Sequence, residues 1–259
     1  MNVGRVFFIA KNVFQQMVRD RILYIIGFYA ILLAIGLRVL PEFAAATEDK
    51  MFLDFGIAAM SVVTLIVAIF VGTGLVNQEI DKRTILLLIA KPVSRIEIIC
   101  GKFLGLASVL AVLVAVMTVI YLGFLQLGNI PHSALSILIG SGFLIVQSSL
   151  ITAVAITFGV FTSSLLAVTL TFAVYLMGNI TPDLVNLGRL SDNLMLQRVT
   201  QALYLILPDL SRLDLKNDVV YGLPALPDPS VLISSVVYGL VYMILLLAIA
   251  NLLFLRREF

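Results

Sequence analysis

Between residues 5 and 19 the apolar and polar positions recur with the period of an α-helix. At about 100° per residue, Val6, Phe7, Ile9, Ala10, Val13, Phe14, Met17 and Val18 share one arc, and Arg5, Lys11, Asn12, Gln15, Gln16 and Arg19 share the other. Basic residues opposite aromatics suit a helix lying in the headgroup plane of a bilayer, although a short helix capping a bundle gives the same pattern. Beyond Arg21 the periodicity gives way to long apolar runs at 22–40, 56–76, 103–126, 134–160, 164–181 and 231–254. A bilayer's hydrocarbon core needs about 20 helical residues at ~1.5 Å rise each, so each run predicts a transmembrane helix.

The links between runs are informative. Only Phe161-Thr162-Ser163-Ser164 separates the fourth and fifth runs, which predicts a tight hairpin. Gly128-Asn129-Ile130-Pro131-His132-Ser133 joins the third and fourth, where Gly, Asn and Pro break a helix for backbone reasons. The 182–230 segment is predicted to carry one helix near 189–206, ended by Pro208, and then a turn-rich strip from Leu223 to Pro229. The prediction is an all-α polytopic membrane protein with six transmembrane helices and an N-terminal amphipathic interfacial helix over 1–21. It forms a single domain, 1–259, with a loop outside the bilayer at 77–102 and another, on the opposite side, at 182–230.

Composition strengthens this picture. The chain is 61% hydrophobic and 12% charged, whereas a water-soluble domain carries roughly 25% charged residues. Net charge is only +2, which argues against a nucleic-acid partner. Arg5, Lys11, Arg19, Arg21, Lys82, Arg83, Lys91, Arg95, Lys102, Arg256 and Arg257 all fall on one side of the predicted spans. The opposite loops hold Lys50 against Glu42, Glu48, Asp49 and Asp54, and four basic residues against six aspartates. Lysine and arginine are retained on the cytoplasmic side, so both termini are expected there. Arg38 lies near the far end of the first span, where its side chain can snorkel to the headgroups.

Catalytic chemistry finds little support. His132 is the only histidine and Cys100 the only cysteine, so neither a metal centre nor a disulfide framework is expected. The phosphate-cradling pattern G-x-x-x-x-G-K-[ST] fails, since Ile96 occupies the first glycine position and Phe103 follows Gly101-Lys102. The spans hold few ionisable groups for a gradient-driven carrier. Their polar content is uncharged, and densest at Gln147, Ser148, Ser149 and Thr152. These residues read as hydrogen-bonding glue between helices or, alternatively, as a substrate route or dimer seam. Gly101 and Gly105 form a small-xxx-small step suited to close helix approach.

Residues 77–102 are too apolar for a solvated loop and too interrupted for a span. A charged turn, Asn77 to Arg83, leads into the apolar stretch Thr84 to Ala90, then Lys91-Pro92 and a second charged turn. An apolar helix of about two turns outside the bilayer needs a cover, either the membrane surface or a groove on another protein. Here the sequence resembles the ABC-2 type transporter permeases. Members carry a pattern like E-x-x-x-[GR]-T-x-x-x-L-x-x-x-P-[VI]-S-R followed by G-K, matched by Glu79, Arg83, Thr84, Leu88, Pro92, Val93, Ser94, Arg95, Gly101 and Lys102. Arg83 stands where many relatives have Gly. The likeness extends to Pro208-Asp209-Leu210, the 215–222 stretch and the basic C-terminal end.

This resemblance implies a permease subunit without its own nucleotide site, working as a homodimer or heterodimer with separate ATP-binding subunits that bind ATP and Mg. It implies export across a bacterial inner membrane. By the same likeness, Glu79, Asp81, Lys82, Arg83 and Thr84 contact the ATPase, and Pro92, Ser94 and Arg95 end and orient the coupling helix. Two other classes compete: a membrane scaffold or assembly factor that moves nothing, and an integral enzyme acting on lipids. The second would need a catalytic cluster that the sequence does not display.

Overall fold

The computed structural model describes residues 2–20, 22–43, 47–81, 94–190 and 194–256. These residues form helices joined by short turns, with no strand among them. In chain order the helices are α1 (Val3–Asp20), α2 (Ile22–Phe43), α3 (Glu48–Asp81), α4 (Arg95–Leu127), α5 (Ala134–Phe161), α6 (Ser164–Leu190), α7 (Leu194–Ile206), α8 (Lys216–Val220) and α9 (Pro229–Arg256). Short 3₁₀ turns at Leu210–Leu213 and Leu223–Ala225 flank α8. Helices α2 to α6 and α9 are each long and apolar enough to cross a bilayer, as the six runs predict.

The axis of the bundle is α5, which packs against α3, α4, α6 and α9. Of its apolar window, 83% is buried, against 22% in α2 and α6 and 17% in α9. The outer helices therefore keep an apolar face for lipid, where Leu23, Phe28, Leu165, Ile233 and Ile244 are exposed. Two tyrosines lock the layer on the other side of α3. Tyr29 Oη donates to the Gly56 carbonyl at 3.1 Å, and Tyr121 Oη donates to the Leu53 carbonyl at 2.9 Å. Both rings are fully buried, and a side chain at Gly56 would collide with the Tyr121 ring. Each phenol thus contributes apolar bulk while its hydroxyl finds an acceptor.

Element ends depart from the predicted boundaries in three places. Helix α3 opens at Glu48 and runs for 34 residues, about 50 Å, where a loop was expected up to residue 55. Glu48 and Asp49 in its first turn suit the positive end of the helix dipole. Helix α3 runs on to Asp81 and α4 begins at Arg95, so residues 77–81 and 95–102 of the expected loop are helical. Helix α6 continues through Pro182 to Leu190, and α7 starts at Leu194 instead of 189. Asn179 Nδ2 bonds the Tyr175 carbonyl at 2.8 Å and Thr181 Oγ1 the Met177 carbonyl, so side chains serve carbonyls beside the proline. The tight turn between α4 and α5 forms as expected. Asn129 takes the left-handed conformation at φ 52°, which asparagine tolerates, and Ser133 caps α5.

Candidate functional site at the foot of α4

The start of α4 is built by a capping box. Ser94 Oγ accepts the Glu97 amide at 3.3 Å, and Glu97 Oε2 accepts the Ser94 amide at 3.1 Å. Capping does not exhaust the carboxylate. Glu97 is only 3% exposed, its Oε1 accepts the Asn2 amide at 2.6 Å, and Arg5 Nη1 stands 4.0 Å from Oε2. One acidic side chain therefore closes the N-terminus of α4 and holds the N-terminus of α1, 95 residues away in sequence.

Glycines let α1 come close. A Cβ on Gly101 would lie 2.8 Å from Ile9 Cβ and 3.1 Å from the Val6 carbonyl, and one on Gly105 would lie 2.7 Å from Val13 Cβ and 2.9 Å from the Ala10 carbonyl. The predicted small-xxx-small step is thus the seat of α1, and Val6 and Val13 are buried in it. The amphipathic helix spends one side of its apolar arc on α4. Val3, Phe7 and Val18, on the other side of that arc, are exposed, which suits contact with headgroups and acyl chains.

Two cations on the same turns reach other helices. Arg95 Nη1 donates to the carbonyls of Phe254 at 2.6 Å and Leu255 at 3.2 Å, near the end of α9, and its guanidinium stands 5.6 Å from the centre of the Phe254 ring. Lys102 is 4% exposed and its Nζ donates to the Leu75 carbonyl of α3 at 2.7 Å. Arg95 thus sits at the carbonyl end of α9, the negative pole of that helix's dipole. Within eight residues, then, α4 gathers the start of α1, the last turns of α3 and the end of α9.

This foot borders the 77–102 region that the sequence singles out. Ser94 is the N-cap of α4 and Arg95 its first residue. Glu79 and Asp81 belong to the last turns of α3, of which the backbone is described. Lys82, Arg83, Thr84 and Pro92 lie outside the described residues. Glu97 and Asn2 escape the family-based reading, yet Ser94-Arg95-Ile96-Glu97 is a sequence-legible capping box.

The second predicted cluster lies elsewhere, in the middle of α5. Gln147, Ser148, Ser149 and Thr152 are all buried. Ser148 and Ser149 donate to the Ile145 carbonyl at 3.0 and 2.7 Å, and Thr152 to the Ser148 carbonyl at 2.9 Å, so these hydroxyls serve their own helix. Bonds between helices come from other residues: Thr118 to Ser141 at 2.8 Å, and Thr157 to the Leu246 carbonyl at 3.2 Å. Gln147 Nε2 has no hydrogen-bond acceptor among the described residues.

At the opposite end of the bundle, the segment before α8 is tied down by Asp209. Its carboxylate accepts Ser211 Oγ at 2.6 Å and Arg212 Nε at 3.0 Å, and its amide donates to Tyr238 Oη at 2.8 Å. Arg212 Nη2 also donates to Tyr204 Oη at 2.8 Å. The bond to Asp209 raises the Arg212 guanidinium further above its ordinary range, so this pair stays ionised.

No curated protein matches the chain in sequence. The sequence profile described as "ABC-2 family transporter protein" matches residues 7–259, nearly the whole length. With this match and six helices able to span a bilayer, the chain belongs to the ABC-2 transporter family and is an integral membrane permease subunit of that kind.

Proposed function

We propose that this permease works as a dimer beneath which separate ATP-binding subunits dock on the 77–102 loop, and that it exports its cargo across a bacterial inner membrane with both termini in the cytoplasm. The observation carrying this reading is the foot of α4, where the helix that emerges from the loop is bonded to α1, α3 and α9 together. A push on the loop from below reaches a capped helix start whose ties spread across the bundle. ATP and Mg belong to the partner, whose closure around nucleotide would bring two such loops together and shift the bundle as a rigid body. The eleven basic residues on one side of the spans support the orientation. Glu79, Asp81, Lys82, Arg83 and Thr84 are the residues proposed to meet the ATPase. Pro92, Ser94 and Arg95 set the exit of the loop, and Ser94 does so by capping α4.

The test is reversal of charge at two positions, Glu79→Lys with Arg83→Glu, in a chain co-expressed with its ATP-binding subunit. Recovery of the ATPase on the permease falls to background while the unfolding temperature of the permease is unchanged. Recovery at full yield overturns the docking assignment. A complex that is stable but indifferent to nucleotide supports the scaffold reading instead.

A further inference from the structure

A cavity lies inside the single chain, between α3, α5 and the segment that leads into α8. Ile57 and Met60 form one wall, Gly140 and Leu144 another, and Leu213 and Val219 the roof. Gln147 lines it, 4% exposed, with the orphaned amide nitrogen described above. A buried donor without an acceptor costs free energy that an apolar side chain of similar size would not. Ser148, Ser149 and Thr152 bond carbonyls of their own helix and Ser141 accepts from Thr118, so among these α5 residues Gln147 is the one whose amide lacks a protein acceptor.

The surroundings define what that is. An amide N–H asks for an acceptor oxygen. Apart from Ser141, whose hydroxyl accepts from Thr118 at 2.8 Å, the walls around Gln147 are apolar, and the charged residues lining the cavity, Asp214 and Lys216, are joined to each other at 2.9 Å. An ion would give up its hydration and meet no uncompensated charge in return. In this conformation the room for water centres is about 20 Å³, enough for one or two waters and for no larger group.

The roof is made of short elements. It consists of a 3₁₀ turn and the five-residue helix α8. It is seated by Ser136 Oγ, which donates to the Val219 carbonyl at 3.0 Å, and by Val219 resting on the bare backbone of Gly140. Asp209 and Arg212 anchor the start of the 3₁₀ turn to Tyr238 and Tyr204, but from Leu213 to Val219 the described hydrogen bond from the bundle is that of Ser136, and short elements of this kind open at lower free energy than long helices do.

We propose that this cavity is a binding site for an uncharged, hydrogen-bond-accepting part of the transported molecule, a carbonyl, ether or hydroxyl oxygen, admitted when the Leu213–Val219 roof lifts from Gly140. The assignment rests on the transport reading above and names the chemistry of the cargo that Gln147 would hold.

The experiment uses the full chain with its co-expressed ATP-binding subunit and Cys100→Ser as background. Gln147→Cys is exposed to three methanethiosulfonates: neutral hydroxyethyl, anionic sulfonatoethyl and cationic trimethylammonioethyl. Leu144→Cys, on the same wall, serves as a second probe should Gln147→Cys fold poorly. The neutral reagent reacts roughly tenfold faster or more than both charged ones, and ATP turnover accelerates it. Equal rates for all three, or faster reaction with a charged one, overturn the cargo chemistry. No modification in any state, while the ATPase still copurifies, overturns the site and leaves the docking reading intact. Selective, turnover-independent modification with no ATPase recovered overturns the transport reading and with it the assignment to cargo. The roof has its own check: a Cβ on Gly140 would stand 3.5 Å from Val219 Cβ, within disulfide range, so Gly140→Cys with Val219→Cys oxidises to an internal disulfide that abolishes the acceleration by ATP. Retained acceleration in the cross-linked protein overturns the lifting roof.

Discussion

The two ends of the bundle solve opposite problems with similar materials. At the foot of α4, Glu97 and Lys102 are almost wholly buried, yet each is bonded to backbone of another helix, and glycines bring α1 into contact. Under the roof, midway along α5, a buried amide has no protein acceptor, and the covering element toward the other end is a five-residue helix resting on a glycine. A satisfied polar network fixes one arrangement of the helices it touches. An unsatisfied one under a lightly held cover sacrifices stability where a ligand must enter and leave. On the proposed function, the contrast separates the part that transmits force from the part that opens.

The contrast breaks most visibly at the α1 seat. Gly105→Leu drives a side chain into Val13 and the Ala10 carbonyl and costs about 1–3 kcal/mol. Gly123→Leu, where a Cβ meets nothing within 4 Å, is near neutral. Thermal unfolding of the two variants in detergent checks this, and equal midpoints would mean that α1 is not seated there. At the roof the sign reverses. Gln147→Leu removes the unpaired amide and stabilises the protein by about 1 kcal/mol or more in the same measurement, and a destabilised variant would mean that Gln147 is already satisfied.

The smallest effect is expected at Asp218 on α8. Burial first, and then the Asp214 carboxylate, push its carboxyl above the ordinary range. The folded state therefore binds this proton more tightly than the unfolded state, and stability from this group falls as pH rises from the unfolded value through the folded one. Asp218→Asn removes that loss and gains no more than about 0.5 kcal/mol at neutral pH. A difference between variant and parent that does not shrink toward acid pH would place the effect elsewhere.

Much of the foot is legible in the sequence. The small-xxx-small step at Gly101 and Gly105 identified a close helix contact, and Ser94-x-x-Glu97 spells a helix start. Charge obscured the second signal. Arg95, Glu97 and Lys102 lower the local hydropathy, so the helix seemed to begin at 103 when it begins at Arg95. The α5 cluster was less legible. Gln147, Ser148, Ser149 and Thr152 look alike as polar residues in a span, but the hydroxyls are short enough to bond carbonyls three or four residues back. Gln147 is not served that way, and its fate depends on what α3 and the roof bring to it.

By itself the sequence determined the number of spans, the amphipathic first helix and the family, because hydropathy, helical period and motif are local properties of the chain that lipid and water read directly. Tertiary structure alone decided that Glu97 holds Asn2, that Arg95 reaches Phe254, and that Gln147 lies beneath Leu213 and Val219 without an acceptor. Those partners are tens of residues apart or more, and which of them meet is fixed by how the helices pack, a property that no single stretch of sequence contains.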